Sequence, residues 1–367
     1  MLLWYFMPER THKSSIAGSP VLIGKGVFSA LKARLRKQGP APVFILVDSN
    51  TLEACLPRLV AEVPALAGAE IIEVNPGEQS KSIRVCENLW AALAELGAGR
   101  NSLFISLGGG VITDLGGFVA SCYMRGIPSI HIPTSLLGMA DAALGGKTGV
   151  DLDHVKNLVG TFSHPEMTLI YPGFLKSLPP DHLSSGLGEV LKHALIGSPG
   201  LWKLLREAGD GLNWEVILKE SLAVKKAIVD ADPREKGPRK LLNFGHTIGH
   251  ALESLSLESE THPMLHGHAV IAGMVCEAWI SRKKKLLAKQ DFEEVFGILN
   301  KFRTSWNFNK FDEIRLFELM KLDKKNNNAG LNFTLLTGIG KGKINQYCEP
   351  GIVKEALKFY RELPLPH

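Results

Sequence analysis

The stretch Leu103-Phe-Ile-Ser-Leu-Gly-Gly-Gly-Val-Ile-Thr-Asp114 joins an apolar run, three glycines and the start of a helical pattern. A short apolar run that ends at glycine is typical of a buried strand, and the apolar spacing over Val111–Cys122 predicts a helix. Backbone N–H groups at such a turn can face a pyrophosphate, although three glycines can equally serve only a tight turn. The stretch therefore predicts a strand–turn–helix unit of an α/β protein.

The same alternation continues on both sides of this unit. Apolar, β-branched runs predict three more strands, at Val43–Val47, Ile71–Val74 and Ser129–Ile132. Ile83–Leu96 has helical spacing, and strands that alternate with helices are typical of a parallel sheet covered by helices. Asp48 ends the first of these strands, where an acid can bind ribose hydroxyls. Because this acid precedes the glycines, the pattern is not that of a standard Rossmann dehydrogenase.

The predicted secondary structure changes at the Pro179-Pro180 pair. Beyond it, apolar residues at helical spacing predict four helices: Leu183–Leu195, Trp214–Val229, Thr247–Leu257 and Ala269–Ser281. Near the end, Asn332–Leu336 and Gly342–Asn345 predict a short hairpin. Because 367 residues exceed the usual size of one core, we predict an α/β domain over 1–179 and a mainly helical domain over 180–367.

Composition limits the kinds of partner. With 45% hydrophobic and 22% charged residues, the chain is typical of a globular protein, and we expect neither a membrane nor nucleic acid among its partners. The net charge of +5 suits a small anionic substrate in a cleft. Five scattered cysteines without a CxxC pair are typical of reduced thiols. Because the first residues also lack the features of a secretory signal, we expect a cytoplasmic location.

A candidate metal site lies in the second half. His246 and His250 stand one helical turn apart, a spacing that suits a divalent metal but also occurs between unrelated polar positions of a helix. Further histidines follow at 262, 266 and 268, and Glu189 opens an apolar helix. A carboxylate with two histidines would leave open positions on zinc, as a catalytic site requires.

A second candidate site is the glycine-rich loop Gly145–Gly149. It contains Lys147 and is followed by Lys156 and Asn157, which together supply cations and flexible backbone for a phosphate. The first glycine of a Walker A motif would fall at Ala140-Asp141, so a nucleotide-hydrolysing P-loop is excluded. The charged segment Asp232–Arg239 is, by itself, an ordinary surface loop.

Ten segments in one order resemble the 3-dehydroquinate synthase family, over about residues 20–340. The segments are Pro76–Lys81, Leu107–Asp114, Tyr123–Gly126, Pro133–Leu137, Gly145–Gly149, Lys156–Leu158, Gly186–Lys192, Leu242–His250, Leu265–Gly267 and Leu322–Lys325. The resemblance implies a Rossmann-like, parallel-sheet NAD⁺ domain, an all-helical metal domain, and a homodimer with the active site in the cleft between domains.

The resemblance also implies site residues. The NAD⁺ site would comprise Asp48, Asn50, Gly77, Glu78, Lys81, Gly109, Gly110, Val111, Asp114, Thr134, Ser135, Lys147, Lys156, Phe174 and Ser177. The metal, Zn²⁺ or Co²⁺, would be held by Glu189, His246 and His266. The substrate would be bound by Arg125 from across a subunit interface, Lys147, Asn157, Lys225, Arg239, Asn243 and one of Lys324 or Lys325. The groups around the reacting carbons would be Asp141, Lys192, Glu235 and His250.

The implied reaction converts 3-deoxy-D-arabino-heptulosonate 7-phosphate, a phosphorylated sugar acid, into 3-dehydroquinate and phosphate. Hydride passes to NAD⁺ and returns within one turnover, with His250 and the substrate phosphate as candidate proton-transfer groups. The chain departs from the family pattern at Thr113, Ser135, Pro233 and His268. His268 adds an imidazole that competes with His266 for the place of third metal ligand.

Three alternatives remain at this point. A related sugar phosphate cyclase would act on a substrate without a carboxylate, whereas Lys225 and Arg239 favour a carboxylated one. A metal-dependent polyol dehydrogenase would have no use for Lys147, Lys156 and Asn157 and would release NADH. An inactive scaffold of the same fold would have no need of the metal-ligand set.

Overall fold

The structure, a computed structural model, describes residues 11–152, 155–207, 211–259, 263–304, 312–322 and 330–364. These residues group into two compact units, and the chain passes from the first to the second between Pro179 and Pro180. Four residues singled out above, His262, Asp323, Lys324 and Lys325, lie outside the described residues.

The first unit is an α/β unit. Its strands are β1 (His12–Ile16), β2 (Ser19–Ile23), β3 (Val43–Asp48), β4 (Glu70–Val74), β5 (Leu103–Gly108), β6 (Ser129–Pro133), β7 (Lys147–Leu152), β8 (Val155–Phe162) and β9 (Met167–Ile170). Its helices are α1 (Val27–Leu35), α2 (Ser49–Ala54), α3 (Leu56–Glu62), α4 (Ile83–Glu95) and α5 (Gly110–Cys122). The strands predicted from sequence are confirmed as β3 to β6, and the two predicted helices as α4 and α5.

Seven of the described strands form one sheet in the order β1-β2-β9-β6-β5-β3-β4, parallel except for the β1–β2 pair. β5 and β6 are buried along their whole length, as expected for strands covered on both faces. Strand β3 pairs with β4 on one side and with β5 on the other. The chain thus changes direction across the sheet between β3 and β5, and the carboxyl ends of such strands flank a crevice that binds ligands in α/β proteins.

The β7–β8 hairpin corrects one expectation. Gly145–Gly149 was expected to be a loop, but Lys147 begins β7, and Lys147 pairs with Phe162 of β8. Only the first two glycines, Gly145 and Gly146, adopt positive φ angles and turn the chain. The closely spaced glycines favoured the prediction of a loop, so strand β7 was not predicted.

The second unit is mainly helical. Its helices are α6 (Pro180–Gly197), α7 (Pro199–Glu207), α8 (Trp214–Ala231), α9 (His246–Ser259), α10 (His266–Lys283), α11 (Lys289–Leu299), α12 (Glu313–Leu322) and α13 (Pro350–Arg361). Strands β10 (Leu331–Gly338) and β11 (Lys341–Cys348) form the hairpin predicted from sequence. The all-helical unit implied by the resemblance therefore needs this one correction.

Helix α10 lies at the centre of the second unit. It packs against α6, α9, α11, α13 and β10, and it is buried along most of its length from Gly267 to Ser281. A helix that is apolar on all sides is stable only in such a central position. Among the described helices, none is both long enough and apolar enough to cross a membrane.

Candidate active site

Three helix segments of the second unit bring together the residues implied as metal ligands. Glu189 lies in α6, and His246 and His266 are the first residues of α9 and α10. Oε1 of Glu189 lies 3.3 Å from Nε2 of His246 and 3.4 Å from Nε2 of His266. Tetrahedral ligands at about 2.0–2.2 Å from zinc are about 3.3–3.6 Å apart. The spacing of these donor atoms therefore fits one divalent metal.

The far side of each imidazole has a partner that orients the ring. Nδ1 of His246 lies 3.1 Å from the carbonyl oxygen of Phe244, and Nδ1 of His266 lies 3.0 Å from Oε2 of Glu253. When Nδ1 donates to these oxygens, Nε2 carries the lone pair that a metal needs. A carboxylate or carbonyl behind a ligating histidine is the usual supporting arrangement at zinc sites.

His250 and Lys192 complete the surroundings of this cluster. The ring of His250 lies 4.9 Å from that of His246 and 5.7 Å from that of His266, measured between centroids. Candidate ligand atoms of these three histidines all lie within 4.8 Å of one another. Lys192 is 1% exposed and forms a short ion pair with Oε2 of Glu189. A further imidazole and a buried cation thus lie beside the candidate metal ligands.

The carboxylates of the cluster change the pKa values of its histidines. Burial alone would lower the pKa of His266, but Glu253 and Glu189 raise it to about 10. Burial lowers the pKa of His246, and Lys192 and His266 lower it further, against the opposing effect of Glu189. The protein alone thus favours a cation at this position, which is the charge that a divalent metal would bring.

The competing imidazole of His268 faces elsewhere. Its Nε2 lies 2.7 Å from Oγ of Ser184, whereas His266 faces Glu189 and His246. Residues 266 and 268 stand two apart in a helix and therefore project in different directions. The geometry favours His266 as the third ligand.

Glycines allow the helices that carry these residues to touch backbone to backbone. A Cβ atom on Gly273 of α10 would lie 1.9 Å from the carbonyl oxygen of Gly245, which precedes α9. A Cβ on Gly267 would lie 1.7 Å from the carbonyl oxygen of Ser185 in α6. Because protein interiors are close-packed, any larger residue would force these helices apart and separate the metal ligands.

The loop Asp232–Arg239 has more structure than its sequence suggested. The Asp232 carboxylate accepts N–H groups from Lys236, Gly237 and Arg239 at 2.6–3.2 Å. Burial raises the pKa of Asp232, but these N–H donors lower it overall. Glu235 has a positive φ of 57° and accepts Nδ2 of Asn243 at 3.0 Å. The loop therefore holds Glu235, Arg239 and Asn243 in one arrangement.

Cations of the implied substrate set are buried in the second unit. Lys192, Lys225 and Arg239 are 1%, 3% and 3% exposed. Nη1 of Arg239 donates to the carbonyl oxygen of Pro233 at 2.6 Å. Three cations implied around the substrate are therefore held inside the second unit and not on its surface.

In the first unit, several of the implied nucleotide residues lie at the carboxyl ends of β3, β5 and β6. Gly109 precedes the first turn of α5, and a Cβ there would lie 3.2 Å from Oγ of Ser135. The N–H of Thr134 donates to the carbonyl oxygen of Gly108 at 3.0 Å. The tight turn and the amino end of α5 thus lie at the switch point, where backbone N–H groups can face a pyrophosphate.

Asp48 has a structural role that the sequence did not reveal. Its carboxylate accepts the N–H and the hydroxyl of Thr51 at 2.8 and 2.9 Å and caps α2. Asn50, in the first turn of that helix, is exposed. The buried thiol of Cys55 interacts with Asp48, Thr134 and Ser177, and burial raises the pKa of that thiol to about 11. Cys55 therefore links three implied NAD⁺ residues through packing.

A network of charges lies next to this turn. Nζ of Lys81 is 2.8 Å from Oδ2 of Asp114 and 3.7 Å from Oε1 of Glu78, which Lys156 approaches to 3.6 Å. Burial opposes the charge on Lys81, yet Asp114 and Glu78 raise the pKa of Lys81 overall. Asn157, with a φ of 52°, donates its N–H to Asp151 at 2.7 Å. The structure thus connects Glu78, Lys81, Asp114 and Lys156 as a single polar group.

Other implied residues of the first unit have these positions. Gly77 has a φ of 99°, and Ser177 donates its hydroxyl to the carbonyl oxygen of Phe174 at 3.0 Å. Asp141 lies in a π-helical turn, Gly138–Ala142. Val111 is in the first turn of α5. Lys147 is exposed at the start of β7.

Within its own unit, Arg125 lies far from the implied nucleotide residues. It follows the carboxyl end of α5, is exposed, and has a φ of 68°. The 13 residues of α5 span about 20 Å, and Gly110 stands at the opposite end. Arg125 therefore lies near the amino ends of the parallel strands, whereas the turn at Gly109 and Gly110 lies at their carboxyl ends.

Two carboxylates were missed by sequence reasoning. Glu253 supports His266, and its position seven residues after His246 and three after His250 places it on their helix face. Glu277 is fully buried in the apolar helix α10 and accepts the N–H of Gly245 at 2.6 Å. The signal that could have found it is an acid within an otherwise apolar helix.

Solved structures with this fold define the class to which the chain belongs. One is a 2-epi-5-epi-valiolone synthase from Streptomyces hygroscopicus subsp. jinggangensis with NAD⁺ and Zn²⁺ bound, at a TM-score of 0.80 and 26% identity, covering 96% of this chain and 99% of that one. Another is a 2-deoxy-scyllo-inosose synthase complexed with carbaglucose-6-phosphate, NAD⁺ and Co²⁺, at a TM-score of 0.82 and 24% identity, covering 95% and 99%. The fold is that of the dehydroquinate synthase-like sugar phosphate cyclases.

Sequence comparison identifies the family within this class. The 3-dehydroquinate synthase N-terminal model matches residues 71–185, and the C-terminal model matches residues 186–326. A 3-dehydroquinate synthase from Parabacteroides distasonis is 42% identical over 346 residues, which cover 93% of this chain and 98% of that protein. The chain belongs to the 3-dehydroquinate synthase family.

The orientation of the two imidazoles predicts different effects of their removal. His266→Ala should weaken Co²⁺ binding to the metal-free protein by more than about 100-fold, because losing a ligand should cost more than losing its supporting partner. His268→Ala is the matched control and should leave the Co²⁺ dissociation constant unchanged, because it removes only the contact with Ser184. Titration of the visible Co²⁺ absorption measures both. The reverse result would make His268 the ligand.

Proposed function

We propose that this chain uses NAD⁺ and one divalent metal, Zn²⁺ or Co²⁺, to convert 3-deoxy-D-arabino-heptulosonate 7-phosphate into 3-dehydroquinate and phosphate. Membership of the 3-dehydroquinate synthase family supports this lyase reaction of the shikimate route to aromatic amino acids. The observation that carries the proposal is the convergence of Glu189, His246 and His266 through one carboxylate oxygen and two Nε2 atoms. The NAD⁺ and Zn²⁺ bound by the valiolone synthase support the cofactors.

The metal residues fit the chemistry that the reaction needs. Glu189, His246 and His266 would hold the metal and leave positions open for substrate oxygens. When bound, the metal would make a substrate hydroxyl more acidic. NAD⁺ would accept a hydride from the carbon that carries this hydroxyl and would later return it. Glu253 holds the His266 ring in place, so that little reorganisation accompanies substrate binding.

The proposed substrate is a sugar acid phosphate that carries both a carboxylate and a phosphate, and buried cations of the second unit are suited to it. Lys225 and Arg239 are proposed to bind the carboxylate, and Lys192 to bind oxygen atoms near the reacting carbons. Asp232 supports this role because its hydrogen bonds hold the backbone of Arg239 and the loop around it. Lys147, Asn157 and Asn243 are proposed as further polar contacts of the substrate, and Glu235 and Asp141 as groups near the reacting carbons.

Proton transfer is assigned to His250. Its ring lies next to those of His246 and His266, on the helix that carries His246. An imidazole is the side chain that most readily takes up and releases a proton near neutral pH. In this proposal His250 exchanges a proton at the reacting oxygen, and the departing phosphate of the substrate takes up the proton from carbon.

The dinucleotide is proposed to bind at the switch point of the first unit. Gly109, Gly110 and Val111 would direct backbone N–H groups at its pyrophosphate. Lys81, held by Asp114 at 2.8 Å, lies in the adjacent charge network. The remaining proposed contacts surround this turn and are Asp48, Asn50, Gly77, Glu78, Thr134, Ser135, Lys147, Lys156, Phe174 and Ser177.

A homodimer is part of the proposal, because Arg125 cannot serve a site at the switch point of its own unit. Neighbouring apolar groups support an interface there: Met124 is 45% exposed and Phe162 is 59% exposed. Thr161, next to Phe162, hydrogen-bonds Ser121 at 2.8 Å, four residues before Arg125. Exposed apolar side chains around a cation are typical of a protein interface.

A cytoplasmic location is also proposed. All five cysteines are free thiols, and four of them, Cys55, Cys86, Cys276 and Cys348, are buried. Free thiols are typical of proteins in a reducing compartment.

The reaction predicts phosphate release without net reduction of NAD⁺. With the heptulosonate phosphate, NAD⁺ and Co²⁺, the enzyme should release one phosphate per substrate while NADH absorbance stays flat, because the hydride returns within each turnover. Glu189→Gln should abolish phosphate release, and the same sugar phosphate without its carboxylate should be a poor substrate. Steady accumulation of NADH, or preference for the substrate that lacks the carboxylate, would contradict the proposal.

The role of Arg125 predicts complementation between two inactive variants. Arg125→Ala and Glu189→Gln should each be inactive alone. When co-refolded in equal amounts, half of the dimers should be mixed, and half of the sites in each mixed dimer should be intact, so about one quarter of wild-type phosphate release should return. No recovery in a mixture shown to contain mixed dimers would mean that Arg125 does not act across an interface.

A further inference from the structure

Glu277 of α10 makes contacts that connect it to the candidate metal centre. Its side chain is 0% exposed. Oε2 accepts the backbone N–H of Gly245 at 2.6 Å, and Oε1 lies 3.5 Å from the backbone N of Ile248. Gly245 and Ile248 flank His246 at the start of α9, so the two oxygens of one buried carboxylate face the turn that begins with a metal ligand.

This turn lacks a cap of its own. The first N–H groups of a helix have no partner within the helix and are usually satisfied by the side chain of the preceding residue. Here the preceding residue is Gly245, which has no side chain. It must be glycine, because its φ is +80° and a Cβ would lie 2.8 Å from the carbonyl oxygen of Val270. The cap is therefore supplied by another helix, through Glu277.

We propose that Glu277 is a positioning residue for the metal centre. By holding the N–H groups of Gly245 and Ile248, it fixes the first turn of α9 before any metal binds. The ring of His246 then faces Glu189, and His250 follows one turn later on the same face. The inference rests on the proposed metal centre and assigns a role to a residue outside the proposed metal-ligand set.

Glu277→Gln is the sharpest variant with which to test this role. Glutamine has the same length, but it has only one acceptor oxygen, so its NH₂ group must face one of the two N–H groups. A buried N–H without an acceptor is costly, and the turn must shift to relieve it. The shift of this turn should change the positions of the metal ligands relative to one another.

Ser281→Ala is the matched control. Ser281 lies one turn further along α10, is also 0% exposed, and donates to the carbonyl oxygen of Glu277 at 2.7 Å. It also accepts the N–H of Leu336 in β10 at 3.0 Å. Its removal leaves a buried N–H unsatisfied at the opposite end from the metal ligands. The variant should lower thermal stability without changing metal binding.

The experiment is a Co²⁺ titration of the metal-free full-length protein, followed by visible absorption, for wild type and both variants. We expect Glu277→Gln to raise the Co²⁺ dissociation constant by about 10- to 100-fold and to change the absorption bands. Ser281→Ala should keep the wild-type constant and bands at a lower melting temperature. Equal Co²⁺ binding by wild type and Glu277→Gln, or equal losses in both variants, would overturn the role of Glu277. Failure of the wild type itself to bind Co²⁺ would instead refute the metal centre.

Hydrogen exchange of the wild type provides a test that does not depend on folding of a variant. In the metal-free protein, the amides of Gly245 and Ile248 should exchange as slowly as those in the middle of α9, because Glu277 already holds them. Fast exchange that becomes slow only when Co²⁺ is added would show that the metal, and not Glu277, orders this turn. That result would overturn the proposal even if no Glu277 variant can be purified.

Discussion

The contact on which the metal centre depends is the one between the backbones of α9 and α10. At Gly273 there is no room for a side chain, since a Cβ would lie 1.9 Å from the carbonyl oxygen of Gly245. This approach allows Glu277 to reach the first turn of α9 and allows Glu253 to reach His266 in the opposite direction. The two helices therefore orient each other's histidines, and α6 contributes Glu189 through a similar contact at Gly267.

Close backbone contact at a glycine also shapes the proposed dinucleotide site of the first unit. The order in which the chain adds strands reverses between β3 and β5, and in α/β proteins ligands bind at the carboxyl ends of strands at such a point. Gly109 lets the chain turn closely past Ser135, and the amino end of α5 begins at the following residue. Anion recognition is proposed to depend here on backbone geometry, whereas the proposed metal and substrate contacts of the second unit are side chains at 0–8% exposure such as Glu189, His246 and Lys225. In this proposal one chain combines a backbone site for a dinucleotide with a side-chain site for a metal and an anionic substrate.

Sequence reasoning predicted what depends on local pattern. Strands β3 to β6 were found because they are apolar and bounded by turn residues, and α10 because apolar residues fill it. Strands β1, β2, β7, β8 and β9 were missed, since they are short or contain glycine and polar residues. The metal set came from the family resemblance, because the spacing of His246 and His250 alone has several explanations. Glu253 could have been found by its helix spacing, and the cap of α2 by the capping-box spacing of Asp48 and Thr51. The contacts of Cys55 depend on packing that no local pattern encodes.

The backbone contact at Gly273 is proposed to hold the candidate metal ligands together, and Gly273→Ala removes the space on which that contact depends. The matched control is Gly297→Ala in α11, where a Cβ would meet nothing within 4 Å and alanine should stabilise the helix by up to about 1 kcal/mol. The measurement is the Co²⁺ dissociation constant of the folded, metal-free variants. If that contact positions the ligands, Gly273→Ala should weaken Co²⁺ binding by about 10-fold or more, and Gly297→Ala should leave it unchanged. Wild-type affinity in a folded Gly273→Ala protein would mean that the contact does not position the metal ligands.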